Sequence, residues 1–353
     1  MSTEIPHTVA AERAHEIAAG LIAMVKMHGD KPDELVGILA NAADELRALW
    51  EHTSMANGYA HEPGADLCEV AELADRLLTD HYQRRQASER HGGVVGVRSG
   101  LNHLDEVLNG LEAGKLYMMA AMPGAGKTTL ALQMAATVAQ NGEPALYISL
   151  ENDAADLARK VACRLGGVSY AAALKGKVDP TAWQTAVSKL SLLGGRLYMV
   201  TPRTIMPELG EMIKDVKKRA GAAPSLVVVD YLQAYVKRSA RGADPADVRE
   251  RLDRLTPELR LMGEVYGCAV LAISSQNRAG YASGGMAAMK ESGDIEYGAD
   301  VTLSLSRPEK PPMTAPGLTA LELRVDKNRH GMTGQPIKLV LNGDRCTITE
   351  IEA

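Results

Sequence analysis

A glycine-rich turn carries the clearest chemistry in this sequence. The segment MPGAGKTT, residues 122–129, follows an apolar run and opens the helical pattern TTLALQMAATVAQ. Glycines in such a turn let backbone N–H groups surround an anion at the amino end of a helix. The lysine then reaches the β- and γ-phosphates, and the first threonine ligates Mg²⁺. We therefore predict a site for ATP and Mg²⁺, with Thr128 on the metal, formed by Pro123, Gly124, Ala125, Gly126, Lys127, Thr128 and Thr129.

This turn departs from the usual phosphate-loop pattern at its first position. The pattern G-x-x-x-x-G-K-[ST] asks for a glycine where this chain has Ala121. That glycine mainly serves the turn, so a methyl group is tolerated there if the backbone keeps a negative φ. We therefore expect Ala121 to lie at the exit of a strand without preventing nucleotide binding.

Two carboxylates follow later apolar runs. Asp230 lies in SLVVVDYLQ, residues 225–233, and Glu151 ends ALYISLE, residues 145–151. At the carboxyl end of a strand, Asp230 would hold magnesium through its water shell, and Glu151 would orient and deprotonate the attacking water. By themselves, an aspartate that ends a strand is common and a glutamate before a helix also favours the helix dipole. For Glu151 the spacing alone leaves both interpretations open.

A basic pair stands near the end of the chain. Lys327 and Arg329 are two residues apart in the strand-like run LELRVDKNR, so they share a face. An arginine at this kind of position stabilises charge on the γ-phosphate and is often supplied by a neighbouring subunit. Without further context, such a pair is more often a solvated basic edge.

Apolar runs alternate with amphipathic segments of helical length around these residues. The runs occupy residues 115–121, 145–151, 196–201, 225–233, 268–275, 301–306, 318–327 and 337–343, the last two as a terminal hairpin. This alternation predicts an α/β fold, a mostly parallel sheet flanked by helices. We divide the chain into a small helical N-terminal segment at 1–64, a candidate linker helix at 65–93 and an ATPase domain at 94–353.

Charge and composition narrow the function classes. The net charge of −5 divides into −8 over residues 1–90 and +3 over the remainder, so the first part is a poor nucleic-acid surface. The 4 cysteines lack metal-ligand spacing, and reduced thiols suit a cytoplasmic protein. No signal peptide or membrane-spanning run is visible, so we expect a cytoplasmic protein with no membrane contact.

From about Gly96 onward the chain resembles the C-terminal, RecA-like ATPase domain of DnaB-type replicative DNA helicases. The resemblance runs in the family's order through GVRSGLNHLDEVLNGLEAGKLYMMAA, SLENDAADLARKVACRL, VVVDYLQ, KESGDIEYGADVTLSLSR and VDKNRHGMTGQPIKLVLNG. It implies that Glu151 activates water and that Asp230 ends the Walker B strand. It also implies that Lys327 and Arg329 complete the site of a neighbouring subunit, in a homo-oligomer that is expected to be a hexameric ring.

The resemblance further implies partners. Loops after Asp230 and before the ESGDIEYGAD motif would meet single-stranded DNA independently of sequence, through Lys237, Arg238, Arg241 and Lys290. A helicase loader or primase is a further expected partner. The sensor glutamine, Gln276, stands one position later than in the family's Ser-Gln-Leu-Asn-Arg, which would turn it to the other face of a straight strand. A bulge would restore it, or Ser275 would take a weaker sensor role.

Two other functions remain open from the sequence. One is a recombinase-type ATPase similar to RadA or KaiC, because KNRHG, residues 327–331, also resembles a RadA motif. The other is a nucleotide-switched assembly protein of the replication machinery that does not unwind DNA. Strand displacement, filament formation on DNA and assembly without DNA separate the three.

Overall fold

The computed structural model describes residues 70–121, 124–201, 209–232, 234, 245–275, 298–308 and 314–351. The chain forms two compact units, Met1–Leu77 and Leu78–Ala353, and the boundary falls within a helix. The N-terminal segment at 1–64 lies outside the described residues. The division of the chain at residues 64 and 93 therefore stays a prediction.

Helices and strands alternate through the second unit. The helices are α1 (Val70–Arg90), α2 (Asn102–Leu108), α3 (Lys127–Gln140), α4 (Ala154–Gly166), α5 (Tyr170–Leu174), α6 (Pro180–Ser191), α7 (Leu209–Ala220) and α8 (Pro245–Tyr266). The strands are β1 (Leu116–Ala121), β2 (Ala145–Ser149), β3 (Leu197–Val200), β4 (Leu226–Asp230), β5 (Ala269–Ser275), β6 (Val301–Ser306), β7 (Leu318–Asn328), β8 (Ile337–Asn342) and β9 (Thr347–Glu350). None of the helices in these ranges is both long and apolar enough to span a bilayer.

The strands form one sheet in the order β3-β2-β4-β5-β1-β6-β7-β8-β9. In this sheet order the first six strands, β3, β2, β4, β5, β1 and β6, are parallel to one another. The pairs β6–β7, β7–β8 and β8–β9 are antiparallel. The eight predicted strands are confirmed. The predicted terminal hairpin of β7 and β8 is extended by a third strand, β9, that was not predicted. The sequence does not predict β9 because this strand has four residues, of which Ile348 is the buried apolar one. A run of four residues is too short to show the alternation of apolar and polar residues that indicates a strand.

The central strands are buried on both faces. Every residue of β1, β2 and β4 is buried, because helices cover both sides of the parallel part of the sheet. Alternate residues of β1 serve different cores: Tyr117 and Met119 pack in the cluster with α3, and Leu116 and Met118 in the cluster with α7 and α8. This double burial explains why these strands read as continuous apolar runs.

Helix α3 fixes the edge strand β9 through one side chain. The amide of Gln133, 5% exposed, donates from Nε2 to the Ile348 carbonyl at 2.7 Å and accepts the Ile348 N–H at Oε1 at 2.9 Å. The side chain therefore satisfies both backbone groups of Ile348, as a neighbouring strand would. Because α3 begins at the predicted phosphate loop, this contact ties the end of the sheet to the site.

Replacing Gln133 with leucine should lower the free energy of unfolding. Both backbone groups of Ile348 would lose their partner in a buried place, at a cost of about 1–3 kcal/mol for each. Urea unfolding measures this, with Gln140→Ala, at an exposed position of the same helix, as the control. Equal stability of Q133L and the control variant would contradict the assigned role of the amide.

Candidate nucleotide site

The turn between β1 and α3 has the backbone that an anion site needs. Gly124 has φ +78° and Gly126, the residue that caps α3, has φ +92°. Both values lie in the left-handed region that favours glycine. Helix α3 begins directly at Lys127, so its free N–H groups face the turn. Met122 and Pro123, the first residues of the predicted loop, lie outside the described residues.

Ala121 takes the position expected of it. It is the last residue of β1, is fully buried, and pairs with Ser275 of β5 and Leu305 of β6. It is not among the described residues with positive φ. A methyl group is therefore accommodated at the strand exit.

The predicted site residues of β1, β2 and β4 meet at one edge of the sheet. Asp230 is the last residue of β4 and pairs with Ser149, the last residue of β2, and Glu151 follows two residues later. Because these strands are parallel to β1, their carboxyl ends lie at the same edge as the turn. The fold therefore brings Lys127, Asp230 and Glu151 together.

Electrostatics support this convergence. Burial lowers the pKa of Lys127, and the charges of Asp230 and Glu151 oppose that shift. The Lys127 ammonium also lies 5.7 Å from the centre of the Tyr231 ring, within the range of a cation–π contact. The lysine is therefore a partly desolvated cation beside two carboxylates, which suits it to bind phosphate oxygens.

Asp230 is a buried carboxylate whose two oxygens differ in their hydrogen bonding. It is 1% exposed, and its Oδ2 accepts a hydrogen bond from the Tyr147 hydroxyl at 2.7 Å. Its Oδ1 has no hydrogen-bond partner within the described ranges. Burial raises the pKa of Asp230, while the hydrogen bond from Tyr147, the nearby hydroxyl of Thr128 and the charge of Lys127 lower it.

These groups fit Mg²⁺ bound together with a nucleotide. Mg²⁺ takes oxygen ligands and typically uses one or two carboxylates together with substrate phosphates and water. Thr128 supplies a hydroxyl and Asp230 an unpartnered carboxylate oxygen. No group of three or more His, Cys, Asp or Glu side chains suited to a metal ion occurs in the part of the chain that the structure covers. With a bound nucleotide, phosphate oxygens and water would supply the other ligands of the metal.

Glu151 lies outside helix α4. The helix begins at Ala154, and its cap is Asp153, whose side chain accepts the Asp156 N–H at 2.8 Å. Glu151 is exposed, in the bend between β2 and this cap. Because Asp153 already satisfies the helix end, a capping role does not explain Glu151, and the carboxylate faces solvent where a water molecule can reach it.

Lys327 and Arg329, the finger pair, lie at the opposite edge of the sheet. Lys327 pairs with Thr302 and Asn328 with Val301, at the start of β6, which itself lies beside the start of β1. The phosphate loop follows the end of β1, about 20 Å away for a strand of this length. The finger pair therefore cannot reach the phosphates bound by its own subunit.

The finger pair is attached to the residues that precede β6. Lys327 Nζ donates to the Ala299 carbonyl at 2.8 Å, and the Arg329 N–H donates to the Asp300 carbonyl at 3.0 Å. The Arg329 guanidinium lies 3.7 Å from Asp300 Oδ1. Two adjacent residues, Ala299 and Asp300, thus hold both members of the finger pair.

Asp300 is the centre of a charge cluster that the sequence does not indicate. The Asp300 cluster comprises this carboxylate, 1% exposed, with Arg260 at 3.5 Å, Arg329 at 3.7 Å and His330 at 3.9 Å from Oδ1. Oδ2 accepts the Leu116 N–H at 2.9 Å. The one signal for Asp300 is its place in KESGDIEYGADVTLSLSR, but its partners come from distant parts of the chain.

The other predicted residues are only partly described. Ser275 ends β5 beside Ala121, at the edge that carries the phosphate loop. Gln276 and the proposed DNA contacts Lys237, Arg238, Arg241 and Lys290 lie outside the described residues. Their roles stay predictions.

Comparison with known proteins identifies a matching family model and similar proteins. The family model "DnaB-like helicase C terminal domain" matches residues 96–349. A replicative DNA helicase DnaB of Leifsonia xyli subsp. xyli (strain CTCB07) is 28% identical over 264 residues, covering 73% of this chain and 56% of that protein. One of Geobacillus stearothermophilus is 25% identical over 316 residues, covering 82% and 68%. The chain thus spans 56% and 68% of the length of these two relatives.

Solved structures share the fold. One solved ATPase domain has a TM-score of 0.68 at 20% identity, covering 79% of this chain and 99% of that one. A DnaB-like replicative helicase, described together with its interactions with primase, has a TM-score of 0.65 at 19% identity, covering 98% and 77%. At these identities the likeness concerns the fold alone, and it confirms the predicted RecA-like sheet.

Removing the carboxylate of the Asp300 cluster should lower the free energy of unfolding less than removing its two arginines does. Asp300→Asn leaves arginines that are 36% exposed and can hydrate, so we expect a loss of about 1 kcal/mol. Replacing both Arg260 and Arg329 with methionine leaves a buried carboxylate with only His330 beside it, at a cost of about 3 kcal/mol.

Urea unfolding of both variants tests this order of stabilities. The matched control is Arg324→Met, which breaks the ion pair between the exposed Arg324 and the partly buried Glu322 on β7 and should change stability by about 1 kcal/mol or less. A D300N variant that is less stable than the double arginine variant would contradict the picture of a buried carboxylate that needs its cations.

Proposed function

Because this chain belongs to the DnaB-like helicase family through its C-terminal ATPase domain, we propose that it is an ATP-driven DNA helicase that acts in DNA replication. It would form a ring, the hexamer that the family resemblance implies, and hydrolyse ATP at subunit interfaces to move along single-stranded DNA. Its place would be the cytoplasm.

The separation between the nucleotide site and the finger pair carries this proposal. Lys127, Asp230 and Glu151 meet at the carboxyl edge of the sheet, whereas Lys327 and Arg329 lie at the amino edge. A finger pair placed there can serve only the site of another subunit. Heterologous contacts of this kind form a ring when the rotation between neighbours closes, as the family resemblance implies here, and a filament when it does not.

The residues of one subunit then divide the chemistry. The N–H groups of the turn and Lys127 bind the phosphates, and Thr128 and Asp230 hold Mg²⁺, the latter through water. When bound, Mg²⁺ neutralises charge on the β- and γ-phosphates. Glu151 orients the attacking water and accepts its proton, which its exposed place between β2 and α4 permits.

The neighbouring subunit completes the site. Its Arg329 stabilises the charge that develops on the γ-phosphate during transfer, and its Lys327 adds a second positive charge. In its own subunit this pair is anchored to Ala299 and Asp300, which follow the proposed DNA contact Lys290 by nine and ten residues in the chain. Movement of the segment around Lys290 on DNA would therefore be passed along this stretch of chain to the finger pair.

DNA contact is proposed for two segments. Lys237, Arg238 and Arg241 follow Asp230 in the sequence, and Lys290 precedes Asp300 by ten residues, so both segments are close in sequence to groups of the proposed ATP site. Lysine and arginine in such places bind phosphates and do not read bases, which suits a motor that must pass over any sequence. Gln276, or Ser275 in its place, would report the γ-phosphate to these segments.

Helix α1 supports assembly into an oligomer. Its apolar side chains Leu78 and Tyr82 are 61% and 63% exposed, which is unusual for large apolar groups on one side of a helix. In a ring this face would dock on the adjacent subunit, as expected for a linker helix. A helicase loader or a primase is a proposed further partner; the primase association is described for the DnaB-like structural neighbour.

Strand displacement tests the function directly. The full chain with ATP and Mg²⁺ should unwind a forked DNA duplex, and Glu151→Gln should bind nucleotide but lose unwinding by at least about 100-fold, because the water lacks its base. Asp153→Asn, at the nearby helix cap, is the matched control and should unwind. Filament formation without unwinding would favour a recombinase-type ATPase, and nucleotide-driven assembly without unwinding would favour an assembly switch.

Mixing two inactive variants tests the finger pair. Arg329→Ala should keep ATP binding and lose DNA-stimulated hydrolysis, and Lys127→Ala should lose ATP binding. In rings mixed in equal amounts, about one interface in four pairs an intact Lys127 with an intact Arg329, so hydrolysis should partly return.

The control for this mixture is Arg324→Ala, which changes an exposed arginine of β7, the strand that leads to Arg329, and should hydrolyse ATP normally. Analytical ultracentrifugation of labelled subunits verifies that the two variants assemble together. Mixed rings without any recovered hydrolysis, or an R329A variant with normal turnover, would refute the supply of Arg329 by a neighbour.

A further inference from the structure

Tyr147 stands in the middle of β2 with its hydroxyl on the metal-site carboxylate. The side chain is fully buried, and its hydroxyl donates to Asp230 Oδ2 at 2.7 Å. Ser149 lies opposite Asp230 in the parallel register, and Tyr147, two residues earlier, lies on the same face of the sheet. The contact is therefore built by the pairing of β2 with β4.

A second buried tyrosine shows what a purely structural contact looks like in this sheet. Tyr117 of β1 is also fully buried, and its hydroxyl accepts the Glu112 N–H at 2.8 Å and donates to the Gly110 carbonyl at 3.4 Å. A buried hydroxyl needs a partner, and backbone groups satisfy this one. Tyr147 instead takes its partner from the carboxylate that the nucleotide site requires.

The hydrogen bond distinguishes the two oxygens of Asp230. A carboxylate that ends a strand can rotate about its last bond and present either oxygen to the site. Here Oδ2 is bound by Tyr147, and Oδ1 is the oxygen without a hydrogen-bond partner in the described part of the chain. With Oδ2 fixed, Oδ1 keeps one direction.

We propose that Tyr147 is a positioning residue of the nucleotide site, whose hydroxyl fixes Asp230 Oδ2 so that Oδ1 is held ready for the water shell of nucleotide-bound Mg²⁺. The proposal rests on the nucleotide site of the proposed function, but not on helicase activity. Loss of a hydrogen-bond partner of a direct metal ligand typically changes metal affinity about 10- to 100-fold, and because Asp230 acts through water we expect the lower end of that range for Tyr147.

Tyr147→Phe tests the role of the hydroxyl because it removes only one oxygen. The measurement is the affinity for a fluorescent ATP analogue as a function of Mg²⁺ concentration and in excess EDTA. In Y147F the Mg²⁺ concentration for half-maximal effect should rise about tenfold, and the affinity in EDTA should stay that of the wild type. Tyr117→Phe, the matched control, should leave the Mg²⁺ dependence unchanged.

Each outcome decides the inference. A wild-type Mg²⁺ dependence in Y147F overturns it, and so does an equal loss of affinity with Mg²⁺ and in EDTA, which would indicate disturbed packing. Urea unfolding of both variants verifies that each is folded. Wild-type protein that binds no nucleotide under any condition would overturn the proposed function as well, whereas failure confined to Y147F overturns the inference alone.

Discussion

The parallel pairing of β2, β4, β5 and β1 is the constraint on which the rest of the molecule depends. It brings the carboxyl ends of these strands to one edge, where Lys127, Asp230 and Glu151 meet. Strand β7 runs antiparallel to β6 and ends at the amino edge, where the finger pair lies. One sheet would thus carry the two halves of the proposed nucleotide site on opposite edges.

Two buried aspartates, one near each edge of the sheet, are held by the same kind of contact. In Asp230 one oxygen is bound by the Tyr147 hydroxyl, and in Asp300 one oxygen is bound by the Leu116 N–H. The remaining oxygen of Asp230 has no hydrogen-bond partner among the described residues, and that of Asp300 faces cations. A fixed donor holds each carboxylate in place, so that its other oxygen keeps a direction in a site where a loose carboxylate would turn.

Strand β1 connects the two edges. Its first residue, Leu116, holds Asp300 near the finger pair, and its last residue, Ala121, leads into the phosphate loop. The strand is buried throughout and flanked by β5 and β6. Its six residues therefore connect the Asp300 cluster with the start of the phosphate loop.

The sequence by itself determined the phosphate loop, eight of the nine strands in the described ranges and the candidates Asp230, Glu151 and Arg329. These features depend on neighbouring residues, because a glycine turn, an apolar run and a helix start are local patterns. Only the tertiary structure decided that Tyr147 holds Asp230, that Leu116 holds Asp300 and that Gln133 holds β9, contacts between residues 83, 184 and 215 positions apart. No local pattern encodes such pairs, since strand order and register, which place them in contact, arise when the whole sheet assembles.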